Sequence, residues 1–570
     1  MQPFPVPHFN GMLLNISPIK VKIEFIRHCI IDYQRQMQTL CTKNYKEFAI
    51  KDANGLIIKE FPGAKNANRA LPGDIVEVTL FGCNLIERKQ ATPIAGLLEL
   101  NSKTKYGFTN RHHPIYLFTP FNESYPQFIV GSSERDTSKN RPGVIQFEKW
   151  SDLDNLPRGA LIQLLETHED ALSWTYTPIA CTKYKGPLPE RVNEEEYGKR
   201  PLVNAFHIDP PGCLDVDDVL TIEELDNETY VTITISDVAA HIPCGHPLDA
   251  RASEIGETFY QDRRKPRHML PASLSEDLLS LLPSEKSKLG LSLQFPLGDI
   301  TRVRWFESAV QTTATYTYES IYKNKALCES IEKMARALGE ESGDSHKWIE
   351  AAMKFYNVQA AILLRASHTG LLRSHEAPDQ AKLDNIVKIN PELKFLAYNS
   401  AMYVPANDPH PHHYGLEAEV YTHATSPIRR YADLVNQRSI KSIINPKADS
   451  VMPIPRDLPK HLNDRAKQAK RHDRDLIFIR ALRSEQKQIT GQILTMVPED
   501  ANIKLSIYVN EWQQIIKVKY TASPDQPETI VSKDETTRHR VSIGQHISLE
   551  YFADITARNW KKRMVLRITA

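Results

Sequence analysis

The sequence predicts a multidomain α+β protein, with small antiparallel β barrels at both ends and a mixed α/β region between them. Two observations carry this expectation. Between about 43 and 185, and again after about 488, short apolar or alternating runs are punctuated by Gly, Pro and Asn, the spacing of small all-β modules. Between about 201 and 487, strand-like alternation mixes with long helical runs. A chain of 570 residues has room for roughly three to five domains.

Residues 1 to about 42 read as a Pro-containing leader followed by a short helical pattern. The leader lacks a basic head and an uninterrupted apolar run, so no secretory signal is expected. Asp74–Leu80 and Ala95–Leu100 are examples of the barrel-type runs that follow. A polar, acidic linker lies at about 186–200. Thr229–Ser236 alternates like a strand and pairs with Leu220–Leu225 across an Asp-Asn-Glu turn; Trp348–Leu364 reads as a mostly buried helix. Strand-like runs return at Ala501–Tyr508, Val541–Tyr551 and Arg563–Ile568.

Hydrophobic residues make up 41% and charged residues 25% of the chain, an ordinary globular balance. No run of about 18 apolar residues is present, so no membrane span is expected. Seven scattered cysteines without a Cys-x-x-Cys pair argue against a disulfide framework or a Cys-based zinc site and fit a reducing interior, with an intracellular, cytoplasmic location expected. The net charge of +1 does not by itself favour a polyanionic partner, so any such partner requires segregated charge. Two basic stretches supply segregation: Arg456–Lys487, and the C-terminal group Arg558, Trp560, Lys561, Lys562, Arg563 and Arg567. Either also fits a solvated face.

The most informative segment is His207–Leu220. It places Asp209, Asp215, Asp217 and Asp218 within ten residues, after the strand-like Val203–Ile208. Pro210 and Pro211 forbid a helix and Gly212 permits a sharp turn, so the aspartates sit on a bent loop. Because Asp217 and Asp218 would face opposite ways in a straight strand, the loop must curl if all four are to converge. Two carboxylates 4 Å apart repel by about 4 kcal/mol at an effective dielectric near 20. Hard oxygen ligands in that number suit Mg²⁺ or Mn²⁺. Separate turn and cap roles are the alternative, since Asp favours turns. An EF-hand fails: counting from Asp215, Leu220 stands where glycine is needed and Asp226 where a bidentate Glu is needed.

Ile208-Asp-Pro-Pro-Gly-Cys-Leu-Asp-Val-Asp-Asp218 resembles the catalytic signature of the ribonuclease II/ribonuclease R (RNB) family, nearest its eukaryotic exosome-type branch. A second family signature is similar to His413-Tyr-Gly-Leu416 followed by Tyr421–Val435. Ile235–His241 and Met269–Pro271 fall between them in the family's order. The resemblance covers nearly the whole chain. It implies an N-terminal extension (1–42), two cold-shock (OB-type) β barrels (43–92 and 93–186), an RNB catalytic domain (187–487) and a C-terminal OB-type barrel (488–570). It also implies a 3′→5′ hydrolytic exoribonuclease that releases nucleoside 5′-monophosphates from single-stranded RNA. The implied catalytic and metal-binding set is Asp209, Asp215, Asp217 and Asp218 with Mg²⁺, Mn²⁺ as substitute, and Asp217 is the one most tied to chemistry. A monomer is expected. No endonuclease-like domain is seen before the first barrel, which makes exosome-type tethering doubtful.

Thr425-Ser-Pro-Ile-Arg-Arg430 reads as a helix start, with a hydroxyl cap and Pro in the first turn. Ile428, Ala432 and Val435 supply its buried stripe. Two arginines there oppose the helix macrodipole unless an anion binds between them. The resemblance assigns Arg429 to the scissile-end phosphate. It leaves Arg430 between RNA contact and a structural ion pair. Tyr260 and Tyr318 fall where the family places aromatics against bases, with ordinary packing as the alternative. Lys105-Tyr106-Gly-Phe108 resembles the aromatic RNA-binding strand of cold-shock barrels, again with core packing as the alternative. The irregular spacing of His410, His412 and His413 beside two prolines argues against zinc. Two further functions stay open: an RNA-binding protein that keeps the shell without catalysis, and a nuclease directed at DNA.

Overall fold

The computed structural model describes residues 38–53, 55–89, 92–189, 192, 198–261, 265–446, 453–483, 488–523, 526–531, 538–552 and 565–569. The leader pattern before residue 38 and the basic residues Arg558 to Arg563 lie outside them, as does part of the acidic linker. The chain divides into two units between Ala171 and Leu172.

The first unit holds two five-stranded sheets. Strands β1–β5 (Thr39–Thr42, Glu47–Lys51, Ile57–Pro62, Ile75–Val78, Cys83–Glu87) run in the order β3-β2-β1-β4-β5. Strands β6–β10 (Ile94–Leu98, Ile115–Pro120, Phe128–Gly131, Arg141–Lys149, Arg158–Leu164) close into a barrel, sealed by the parallel pair β8–β10. Both share the connectivity of an OB-type barrel: a three-strand meander whose first strand also pairs the fourth. Leu40, Ile50, Phe118, Phe128 and Ile145 form their core, each 2% exposed or less.

The second unit is built on a barrel of β11–β15 (Leu202–Ile208, Asp218–Leu225, Glu228–Ser236, Lys288–Pro296, Arg304–Tyr316), closed by the parallel pair β11–β15. The β12–β13 hairpin forms as the alternation predicts, with Leu225 opposite Glu228. Asp226 and Asn227 both have positive φ, so the turn is a two-residue primed type whose twist matches the strands. The chain continues through α1 (Pro247–Ile255), α2 (Lys325–Ala337) and α3 (Ser345–Ala366). Helix α3 contains the predicted Trp348–Leu364 segment. It buries Trp348, Tyr356, Ala360 and Leu364 against Val231, Ile233, Leu293 and Phe295 of the barrel.

The short hairpin β16–β17 (Leu371–Ser374, Met402–Pro405) precedes α4 (Tyr431–Ile444) and α5 (Leu458–Arg483). The basic segment is therefore one helix over most of its length. Its first turns pack Leu458 and Leu462 beside α4, and its last turns pack Leu476, Phe478 and Ile479 under the final sheet. That sheet has seven strands, β18–β24 (Gln488–Glu499, Asn502–Val509, Gln514–Ser523, Gln526–Val531, Arg538–Arg540, His546–Phe552, Val565–Ile568), in the order β22-β21-β20-β19-β18-β23-β24. Strands β18, β19, β20, β23 and β24, in the order β20-β19-β18-β23-β24, again carry OB-type connectivity. No disulfide links the described cysteines. Among the described residues, no helix is long and apolar enough to cross a membrane.

Candidate active site: an acidic loop crossed by an arginine turn

The aspartate segment leaves the barrel at the end of β11 and re-enters it at the start of β12. Asp209 is held at its base: its N–H donates to Tyr316 O at 3.2 Å, and its Oδ2 meets His207 Nδ1 at 3.1 Å. His207 is itself buried and reaches Thr315 Oγ1 at 3.0 Å through Nε2. Gly212 takes a φ of +81°, the left-handed turn the sequence predicts. Val216 then locks the loop, donating N–H to Ser280 Oγ at 3.1 Å and accepting from Leu281 N at 2.9 Å. This clamp points Val216 into a small core and leaves Asp215 and Asp217 on its flanks. Asp218 begins β12, opposite Ile235.

Asp217 is 4% exposed, and both of its oxygens are used. Oδ1 accepts the N–H of Ile428 at 2.8 Å, and Oδ2 accepts Nε of Arg429 at 3.3 Å. Two segments more than 200 positions apart in sequence thus meet at one carboxylate. Burial pushes the Asp217 carboxyl well above the usual carboxylate range, although Arg429 opposes the shift. Asp218 is pushed up to about 7, first by burial and then by the charge of Asp209.

Arg429 also donates Nη2 to Ser426 Oγ at 2.9 Å and remains 42% exposed. Its neighbour Arg430 is committed differently, in a forked pair to both Asp433 oxygens at 2.9 and 2.8 Å. The helix predicted from Thr425 starts only at Tyr431. A separate turn occupies 427–429, and Arg430 forms an antiparallel bridge with Glu257. Backbone bonds Thr258 N–Arg429 O (2.8 Å) and Tyr431 N–Gly256 O (2.9 Å) hold that bridge. Capture of the Ile428 N–H by Asp217 and of this backbone by the 256–258 segment outweighs the local capping signal. The stripe of Ile428, Ala432 and Val435 is buried as predicted.

Tyr260 donates its hydroxyl to Asp215 Oδ2 while its residue stays 42% exposed. Tyr318 stacks one face on His346, with centroids 3.9 Å apart. Burial, then the charges of Asp209 and Asp218, raise its hydroxyl to about 12, which places it beside the acidic cluster. In the first unit, Tyr106 and Phe108 are 42% and 65% exposed. They lie on an irregular arm rather than a regular strand, because Gly107 takes a φ of +110°. Tyr106 N still donates to Ile115 O at 2.9 Å.

The donor set fits a hard divalent cation: clustered carboxylates, of which Asp217 is buried and both Asp217 and Asp218 are disfavoured as anions. Among the described residues, however, no three His, Cys, Asp or Glu side chains gather as a closed metal shell. The loop brings the aspartates into one electrostatic neighbourhood without drawing all four to a point. Asp217 is held by Ile428 and Arg429 and Asp215 by Tyr260, while Asp209 and Asp218 act on each other through their charges.

Four features of the site were not singled out from the sequence: His207, Ser280, Asp433 and His268. The last is 9% exposed, with Nε2 2.8 Å from Glu276 Oε1 and Nδ1 4.0 Å from Asp215 Oδ2. The position of His207, two residues before Asp209, and that of Asp433, three residues after Arg430 within the second signature, offered a sequence signal. Ser280 and His268 lie far away in the chain and come together with the loop through the fold.

A barrel-cored α+β protein with an acidic loop crossed by an arginine turn has the fold of ribonuclease R. Over 94% of this chain and 100% of the other, it superposes on Mycoplasma genitalium RNase R in complex with ribose methylated single-stranded RNA, with a TM-score of 0.67 and 17% identity. It also superposes on yeast Ssd1, a pseudonuclease, over 87% and 81% of the two chains, with a TM-score of 0.56 and 16% identity. Residues 202–333 and 322–446 match the RNB domain model, so this central stretch of the chain carries an RNB domain. Exosome complex exonuclease RRP44 of Mus musculus is 25% identical over 488 residues, covering 67% of this chain and 50% of the relative. Ribonuclease R of Aquifex aeolicus is 25% identical over 415 residues, covering 55% of this chain and 58% of the relative. The chain thus spans about half the length of the curated relatives it matches.

Proposed function

We propose that this protein is a 3′→5′ exoribonuclease that hydrolyses single-stranded RNA to nucleoside 5′-monophosphates with Mg²⁺, or Mn²⁺ in its place. The observation that carries this reading is the meeting of the aspartate loop and the arginine turn at Asp217. A half-exposed guanidinium is thereby oriented over a carboxylate cluster, as binding and cleaving a phosphodiester require.

Asp209 and Asp218, with Asp215 and Asp217 beside them, are the groups that would hold the ions. Bound divalent ions supply Lewis acidity for a nucleophilic water and a departing oxygen. The chain's own residues do the positioning. Arg429 neutralises and orients the terminal phosphate, and Asp217 fixes the Arg429 Nε edge. The Tyr260 hydroxyl steadies Asp215. In the reaction, the water oxygen bonds to phosphorus, the bond from phosphorus to the upstream 3′ oxygen breaks, and that oxygen leaves as a hydroxyl with a proton from water.

A 5′-labelled single-stranded RNA with Mg²⁺ should shorten stepwise to a short end product, and a chelator should stop it. The likeness to a pseudonuclease favours one second reading, an RNA-binding protein without catalysis. That reading predicts tight, salt-dependent binding with no mononucleotide released under any divalent metal. A DNA oligonucleotide of matched sequence tests whether the 2′-hydroxyl is required.

A further inference from the structure

A cavity of about 570 Å³ opens between segment 180–188, Arg251 and segment 266–273, within the size range of small-molecule sites. Among the described residues, its lining includes five basic side chains, Lys183, Lys185, Arg251, Arg267 and His268, and no carboxylate. Such a cavity selects an anion. Lys183 and Lys185 are exposed and have no ion-pair partner among the described residues. Arg251, by contrast, builds the wall: Nη2 donates to Ile179 O at 2.6 Å and Thr182 O at 2.7 Å.

Two local contacts tie the 180–188 segment to itself and to the wall. Tyr184 donates its hydroxyl to Pro187 O at 3.0 Å, and the Arg251 guanidinium stands 5.7 Å from its ring centroid. A Cβ at Gly186 would lie 2.4 Å from the Tyr184 hydroxyl oxygen, so a larger residue there would displace the Tyr184 ring from this position. Leu188, 54% exposed, and Ala180 add apolar surface to the lining. His268 belongs to both places: it lines the cavity, and its Nδ1 lies 4.0 Å from Asp215 Oδ2.

We infer that this cavity binds a nucleoside 5′-monophosphate, with the phosphate at Lys183 and Lys185 and the base against Tyr184 and Leu188. The lysine pair supplies the charge, the ring and aliphatic wall supply the stacking surface, and the volume accommodates one nucleotide. The inference rests on the exoribonuclease reading for the source of the ligand, which is that reaction's released product. The binding itself requires no catalysis.

The test titrates AMP into the full-length chain in the presence of a chelator, followed by calorimetry or ligand-detected NMR. Adenosine and inorganic phosphate serve as separate probes. AMP should bind saturably, at or below the order of 1 mM, and adenosine and phosphate each at least about tenfold more weakly. The double variant K183A/K185A should lose about tenfold or more, and K183E/K185E should lose more still, with unchanged thermal melts confirming that both fold. No saturation by about 10 mM AMP, phosphate binding as tightly as AMP, or affinity unchanged in K183A/K185A would each overturn the site. The wild-type chain is assayed on RNA in parallel. AMP binding without RNA cleavage would sink the nuclease reading and leave the nucleotide site standing. Cleavage without AMP binding would do the reverse.

Discussion

Asp217 illustrates what a single buried carboxylate does when two distant parts of a chain depend on it. It accepts from the Ile428 backbone and from Arg429, so it serves the turn's geometry and the guanidinium's orientation together. Asp217→Asn keeps the shape and removes the charge. We expect single-strand cleavage to fall by at least about 10²-fold while RNA binding is retained, measured by single-turnover kinetics and filter binding. An undiminished rate would remove Asp217 from the chemistry. Arg429→Lys tests the other half of the pair. Lysine carries the charge but not the fork that reaches both Asp217 and Ser426, so a loss of about 10²-fold is expected although the charge is conserved.

At the scale of the element, the start of α4 depends on an ion pair rather than on a capping hydroxyl. Arg430 stands at the N-cap with no side-chain cap bond, and Asp433 in the first turn takes its guanidinium and the N–H of Ser426. Asp433 is fully buried. Asp433→Ala would leave Arg430 desolvated and unpaired, at a cost of about 3–5 kcal/mol in urea unfolding. A loss under about 1 kcal/mol would show that the pair is dispensable.

A second buried cluster ties α4 to the barrel: Asp237 accepts from Lys441 at 2.6 Å and from Arg200 at 2.8 Å. Burial alone would raise the Asp237 carboxyl, but the two cations outweigh it and hold it at about 2, below its ordinary 3.8. A carboxyl depressed on folding stabilises the protein above its unfolded value and loses that contribution as pH falls through the folded one. The shift corresponds to about 2 kcal/mol, lost between about pH 4 and pH 2. Urea midpoints measured across that window should fall, and the Asp237→Asn variant should lack this component of the slope.

For the whole molecule, the aromatic arm of the first unit and the acidic site of the second make separable predictions. Tyr106 and Phe108 expose rings that no core requires, and base stacking contributes about 1–3 kcal/mol per ring. Their double substitution to Ala should weaken binding of long single-stranded RNA by about tenfold or more without lowering the melting temperature. A lowered melting temperature would show that the rings serve packing instead. Cation binding should appear in stability as well as in activity. With one Mg²⁺ site at 100 times its dissociation constant, the fold gains about 2.7 kcal/mol, and Asp218→Asn should reduce that gain. A melting temperature indifferent to Mg²⁺ and Mn²⁺ would count against the cation.

The sequence by itself determined the small all-β modules at the two ends, the β12–β13 hairpin, helix α3 and the placement of the aspartates on a bent loop, but not the central β11–β15 barrel. Each of these rests on a local rule: alternation, helical periodicity, or the backbone limits of Pro210, Pro211 and Gly212. Only the tertiary structure decided where α4 begins, which arginine stays half-exposed, that Asp217 receives the Ile428 N–H, and that His268 stands between a basic cavity and Asp215. Those outcomes depend on partners up to some two hundred residues away, and once a backbone N–H or a carboxylate is buried, its nearest available partner in space overrides the preference written in its neighbours.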